Sequence, residues 1–156
     1  MKQFAALSTI ALLFFMLTGC NSMEEQKAEK AINTYYNALI EKDYKRAFST
    51  LFPFDDTNAL SNGTQLTKKE AEKLFIEQMD TMDKQNYKIT CFKILEVEYE
   101  DGHSFWHHVE VTGEHNGESF SHNEVVDTHD GKLVIRSSDP YVEFRNGNMN
   151  IGLISM

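Results

Sequence analysis

Cysteine and proline are both scarce, with two of each in 156 residues. A disulfide scaffold is excluded, and the fold must rest on an apolar core, which a chain of this length can supply. Basic residues are also in short supply: 15 Lys and Arg stand against 24 Asp and Glu, a formal charge of −9. Nucleic acid and anionic lipid headgroups need positive potential and are not expected partners. The chain contains no HExxH, no glycine-rich phosphate loop and no GxSxG elbow, so the usual zinc, nucleotide and serine-hydrolase signatures are missing. Its longest nearly unbroken apolar run, residues 4–17, falls short of the roughly 20 residues of a membrane span.

That run has another meaning. Lys2 precedes it and Leu17-Thr18-Gly19-Cys20 closes it, the layout of a secretory signal with a small-residue cleavage site. The closing tetrapeptide resembles the lipobox of bacterial lipoproteins, in which the cysteine becomes the lipidated first residue. The resemblance implies a leader over 1–19, a diacylglyceryl anchor on Cys20 and residence on the extracytoplasmic face of a bacterial membrane. Two acyl chains give stable attachment. Lys2 is the only charged residue before Cys20, so loss of the leader takes the formal charge to −10. Cys91 is then the one remaining thiol, and free cysteine is usually interior.

Residues 20–26 read as a polar tether, and 27–156 as one domain. Ala28, Ala31, Ile32, Tyr35, Ala38 and Leu39 recur at steps of three and four, which predicts an amphipathic helix. A polar break at Glu41-Lys42-Asp43 separates it from a shorter helix that Pro53 ends. Residues 53–66 read as a loop. Thr67 and Glu70 then form a capping box for a helix through Ala71, Phe75, Met79 and Met82.

From Tyr87 the period changes to two. Asp101-Gly102, Asn116-Gly117 and Asp130-Gly131 are tight hairpin signals, because both central residues of a type I′ turn have positive φ. They predict a four-stranded antiparallel meander over about 87–100, 103–115, 118–129 and 132–138. The segment after Pro140 either adds a fifth edge strand or wraps the surface. The fold class is therefore α+β, with N-terminal helices on a curved sheet.

Two-residue turns fix register. They place Phe92, Ile94, Phe105, Val109, Val111, Phe120, Val126, Leu133 and Ile135 on one face, to be covered by helices. Leu95, Val97, Tyr99, Trp106 and Val125 fall on the other face, either as an exposed contact patch or through a bulge that breaks the register. All six histidines lie in the sheet region. His103, His115 and His129 flank turns and His108 falls on the polar face, while His107 and His122 point inward. The register sets His107 opposite Glu96 and diagonal to Glu124, an acid–base candidate in which the carboxylates would raise the imidazole pKa. His107 and His122 are about 13 Å apart along the ladder, too far to share an ion. No metal site and no cofactor are expected.

Helices followed by a strongly curved meander resemble the nuclear transport factor 2-like, or cystatin-like, α+β cone. Residues 31–48, AINTYYNALIEKDYKRAF, are similar to that superfamily's opening helix, with its tyrosines and its acidic Gly-Asp-Tyr-like break. Lys42 stands where the family usually has glycine. The resemblance implies a cone that hosts many functions. The leading expectation is a tethered, non-enzymatic binding or accessory module, with a protein or small-molecule ligand. The alternatives are a lyase or isomerase using His107 with Glu96 or Glu124, and a weak metal binder.

Overall fold

The computed structural model describes residues 23–100 and 104–150. The expected leader, the expected lipidation site at Cys20, the expected Asp101-Gly102 turn and His103 lie outside the described residues.

Helix α1 spans Met23–Ile40, so it starts inside the stretch read as tether. Glu24 and Glu25 occupy its first turn, where carboxylates favour the positive end of the helix. Its apolar stripe buries Ala28, Ile32, Tyr35, Tyr36 and Leu39. Lys42, at φ 58°, turns the chain into α2, Tyr44–Thr50. Leu51 then bridges to Leu133 of the sheet. Residues 53–66 include a short 3₁₀ segment, Thr57–Asn62. Helix α3, Lys68–Lys84, begins at the expected capping box: the Thr67 side chain accepts from the Glu70 amide while Glu70 accepts from the Thr67 amide.

The sheet is antiparallel, in the order β1 (Tyr87–Tyr99), β2 (Phe105–His115), β3 (Glu118–His129) and β4 (Lys132–Ser137). Asn116 and Gly117, and Asp130 and Gly131, all have positive φ. Both turns set the expected pairings, among them Val111 with His122, Val109 with Glu124 and Val126 with Ile135. Among the described residues no fifth strand follows Pro140, and Asn148 makes an isolated bridge with Phe54. The segment folds into a 3₁₀ turn, Pro140–Phe144, and continues inward through buried Arg145 and Asn146.

Strand β1 departs from the expected register at two bulges. Tyr99 pairs with Phe105, which moves the upper half of β1 one residue from the two-residue-turn alignment; the extra residue Leu95 restores it at Ile94 with Val109. A second bulge at Thr90 sets Ile89 opposite Gly113. There the chains are so close that a Cβ on Gly113 would lie 2.2 Å from the Lys88 carbonyl oxygen and 2.4 Å from the Phe120 ring.

Helices α1 to α3 cover the inner face. Val109, Val111, Val126, Leu133 and Ile135 are buried there, and Phe92, Ile94 and Phe120 pack at the margins. Burying a side chain of this size contributes about 1.5–3 kcal/mol, so this layer dominates the fold's stability. Cys91 is exposed, contrary to the usual preference of a free thiol, because it points outward between inward-facing Ile89 and Phe92.

Candidate functional site

The Leu95 bulge dismantles the expected His107–Glu96 pair. Beyond it the faces exchange: Glu96 aligns with His108 on the exposed side, and Val97 aligns with His107 on the helix side. His107 is 1% exposed, edge-on to Phe105 at 5.7 Å, and its Nε2 has no partner. Burial lowers its pKa, against the weaker upward pull of Glu29 and Glu25. This is the opposite of the shift expected from two adjacent carboxylates.

The same bulge divides the expected contact patch between the two faces. Tyr99 turns toward the helices and its hydroxyl donates to Glu25 at 2.7 Å. Val97 moves to the helix side with it. Trp106 stays on the outer face, where its indole N–H donates to Glu98 at 2.8 Å, and Leu95 is 45% exposed at the bulge itself. The four residues are thus divided between the two faces, although Tyr99 remains 55% exposed.

Glu124 is where the register placed it, inward and fully buried. A carboxylate on an apolar layer requires a cation and further donors. Arg145 supplies the charge: Nη1 donates to Oε2 at 3.0 Å and Nη2 donates to Oε1. The Tyr36 hydroxyl donates to Oε2 at 2.5 Å, and His122 Nε2 lies 2.7 Å from Oε1. Burial disfavours the charge, but Arg145, His122 and Tyr36 together outweigh it and bring the Glu124 pKa down to about 2. Arg145 is itself fully buried. Its carbonyl accepts from the Tyr35 hydroxyl at 2.6 Å, which ties the Pro140–Phe144 turn to α1. Burial also holds the Tyr35 and Tyr36 hydroxyls above their ordinary range.

His122 connects this buried pair to the surface. Its Nε2 is 3.5 Å from Asp139 Oδ2, and the Tyr87 hydroxyl donates to the same oxygen. Four rings stack in a column beside it: Tyr141 on Tyr87 at 4.3 Å, Tyr87 on Phe120 at 4.7 Å, and Phe120 on His122 at 5.4 Å. These residues border a cleft of about 420 Å³ between the β2–β3 turn and the Pro140–Phe144 segment. A second cleft, about 270 Å³, opens between α1, α3 and β1 with Leu39, Met79, Met82 and Ile89 in its walls.

Of the other histidines, His115 is half-buried, its Nε2 3.2 Å from the Tyr141 hydroxyl, and His129 packs edge-on against Phe52 at 4.5 Å. Both are more enclosed than turn-flanking positions suggested. Among the described residues no group of three or more His, Cys, Asp and Glu side chains could hold a metal ion, and no helix is long and apolar enough to cross a membrane.

No family model and no curated protein matches the chain. A solved protein of Burkholderia xenovorans, described as NTF-2 like and of unknown function, superposes with a TM-score of 0.46 at 17% identity, over 76% of this chain and 88% of its own. The α+β class stands on this chain's own topology: helices followed by a four-stranded antiparallel sheet.

Sequence reasoning missed Arg145. The available signal was Glu124 itself, since an inward carboxylate calls for a buried cation.

Proposed function

We propose that the chain is a bacterial lipoprotein, tethered through Cys20 on the extracytoplasmic face of a membrane, with a nuclear transport factor 2-like domain that acts as a binding or accessory module. The leader and its Leu17-Thr18-Gly19-Cys20 ending support the tether. The order of helices and meander supports the family, as does the left-handed backbone of Lys42, at the position where the resemblance has glycine.

The observation that favours binding over proton transfer is the state of Glu124. It is the only inward-facing carboxylate of the expected acid–base set, and it is committed to Arg145. A general base needs a pKa near the working pH, whereas Glu124 is held at about 2. Among the described residues His107 Nε2 has no hydrogen-bond partner.

A lyase or isomerase is the second reading, and one observation favours it. The imidazole on the buried carboxylate is His122, not His107, and it borders the cleft of about 420 Å³. The fixed charge of Glu124 weighs against it.

The tether is tested by labelled palmitate. The intact chain should take up label and sediment with membranes, and Cys20→Ala should abolish both. Undiminished labelling of Cys20→Ala would refute the anchor.

A further inference from the structure

The cleft between α1, α3 and β1 combines an apolar wall with one open donor. Leu39, Met79, Met82 and Ile89 supply the wall, and Arg145 borders the same space. Lys42 and Lys88 stand at its rim, each with more than half of its side chain exposed, whereas Arg145 exposes none and forms the floor. Both Arg145 Nη atoms are engaged with Glu124, and its carbonyl accepts from Tyr35. The donor left over is Nε, which is buried and, among the described residues, without a hydrogen-bond partner. A buried N–H in that state costs more than a made bond gains, so the atom calls for an acceptor. The charges around the cleft are already spent: Arg145 on Glu124, Lys42 on Asp83 at 2.7 Å and Lys88 on Glu114 at 2.8 Å. In the walls, the Tyr44 hydroxyl donates to Asp83 at 2.8 Å and the Tyr87 hydroxyl donates to Asp139.

We propose that this cleft binds a small neutral molecule, mostly apolar, with one carbonyl oxygen that accepts from Arg145 Nε. The proposal rests on reading the domain as a binding module and does not depend on the tether. An apolar body suits the wall, where contact removes hydrocarbon from water on both sides. The oxygen satisfies the open donor, and a bond from an ionised guanidinium is stronger than a neutral one. A carboxylate or an amine would bury its own charge without a counter-charge, since each ion at the cleft has its partner. Water is a poorer occupant of the floor. It needs about two to four polar partners, and both tyrosine hydroxyls are committed elsewhere. The volume, about 270 Å³, lies at the small end of ligand pockets and does not suit a peptide or a long acyl chain.

The test compares acetophenone with α-methylstyrene, in which a methylene group replaces the carbonyl oxygen, on the full chain in non-ionic detergent. Arg46 and Arg136 are the other arginines of the chain, and both are exposed. The variant Arg46→Lys/Arg136→Lys therefore leaves Arg145 as the source of the arginine Nε–H signal in a ¹H–¹⁵N spectrum. Acetophenone should bind saturably and move that signal downfield. After correction for partition into protein-free detergent, α-methylstyrene should bind about tenfold more weakly or worse, with no downfield shift. Ile40 borders the cleft and is 37% exposed. Ile40→Trp should narrow the space and weaken acetophenone about fivefold or more, with a thermal melt confirming that the variant is folded. Equal binding of the two probes, or binding of acetophenone with the Arg145 signal unmoved, overturns the carbonyl site. So does the absence of saturable binding by acetophenone. None of these outcomes touches the framework role of Glu124 or the anchor, which its own titration and palmitate labelling decide separately.

Discussion

Arg145 reaches Glu124 with both terminal guanidinium nitrogens, and neither residue exposes any surface. The pair joins the end of the chain's last described turn to the third strand. Removing one member should strand the other as a buried charge, at a cost of about 3–5 kcal/mol. Glu124→Leu and Arg145→Met should each show that loss in urea denaturation. The double variant Glu124→Leu/Arg145→Met should be at least about 2 kcal/mol more stable than the two losses added together. Additive losses would mean that the two side chains do not act as a pair.

Acid should act on the same pair. The folded pKa of Glu124 is depressed to about 2 from an ordinary value of 4.5. The sign follows from linkage: a depressed carboxylate contributes stability above its unfolded pKa, and that contribution is lost as pH falls from about 4.5 toward 2. The intact chain should therefore lose stability across that window more steeply than the double variant. Parallel curves would remove Glu124 from the acid response.

His107 should behave in the opposite sense to a salt-bridged histidine. Burial lowers its pKa, so the folded state favours the neutral ring. Its contribution is intact above the unfolded pKa of about 6.5 and is lost as pH falls below it. Because Nε2 is also without a partner, His107→Leu should be at least as stable as the intact chain at pH 7. At pH 5 the difference in favour of the variant should be larger than at pH 7. A variant that loses stability at both pH values would show that the imidazole makes a favourable contact.

Much of this fold was legible in the residues, for identifiable reasons. Asn116-Gly117 and Asp130-Gly131 announce their turns because few other residues accept positive φ at two successive positions, and the register that follows put Glu124 inside. The bulges were not legible. Leu95 and Thr90 sit in runs that alternate on either side of them, and one inserted residue leaves no compositional mark. Its effect is nevertheless complete, since a one-residue slip exchanges the two faces. This is why Glu96, Val97 and Tyr99 were assigned to the wrong sides. Arg145 escaped for another reason: it is 21 residues from Glu124, on an irregular segment with no periodicity to orient it.

Lys42 offers a local test of backbone strain. It holds φ 58° and bridges Asp83 at 2.7 Å with more than half of its side chain exposed, a contact of small value in solvent. Lys42→Gly and Lys42→Ala both remove that bridge, but only glycine relieves the left-handed conformation. The glycine variant should be about 1 kcal/mol more stable than the alanine variant, read from thermal or urea midpoints. Equal midpoints would indicate that the turn relaxes without cost.

Held by Arg145, Tyr36 and His122, Glu124 is an ionised part of the framework and not an acid or base. Its side-chain carboxyl ¹³C shift, followed by NMR from pH 8 to the acid limit of folding, measures this directly. The claim predicts a flat shift down to about pH 3, with any titration centred near 2. A midpoint at or above the ordinary 4.5 would contradict it and would return Glu124 and His122 to candidacy as a proton-transfer pair.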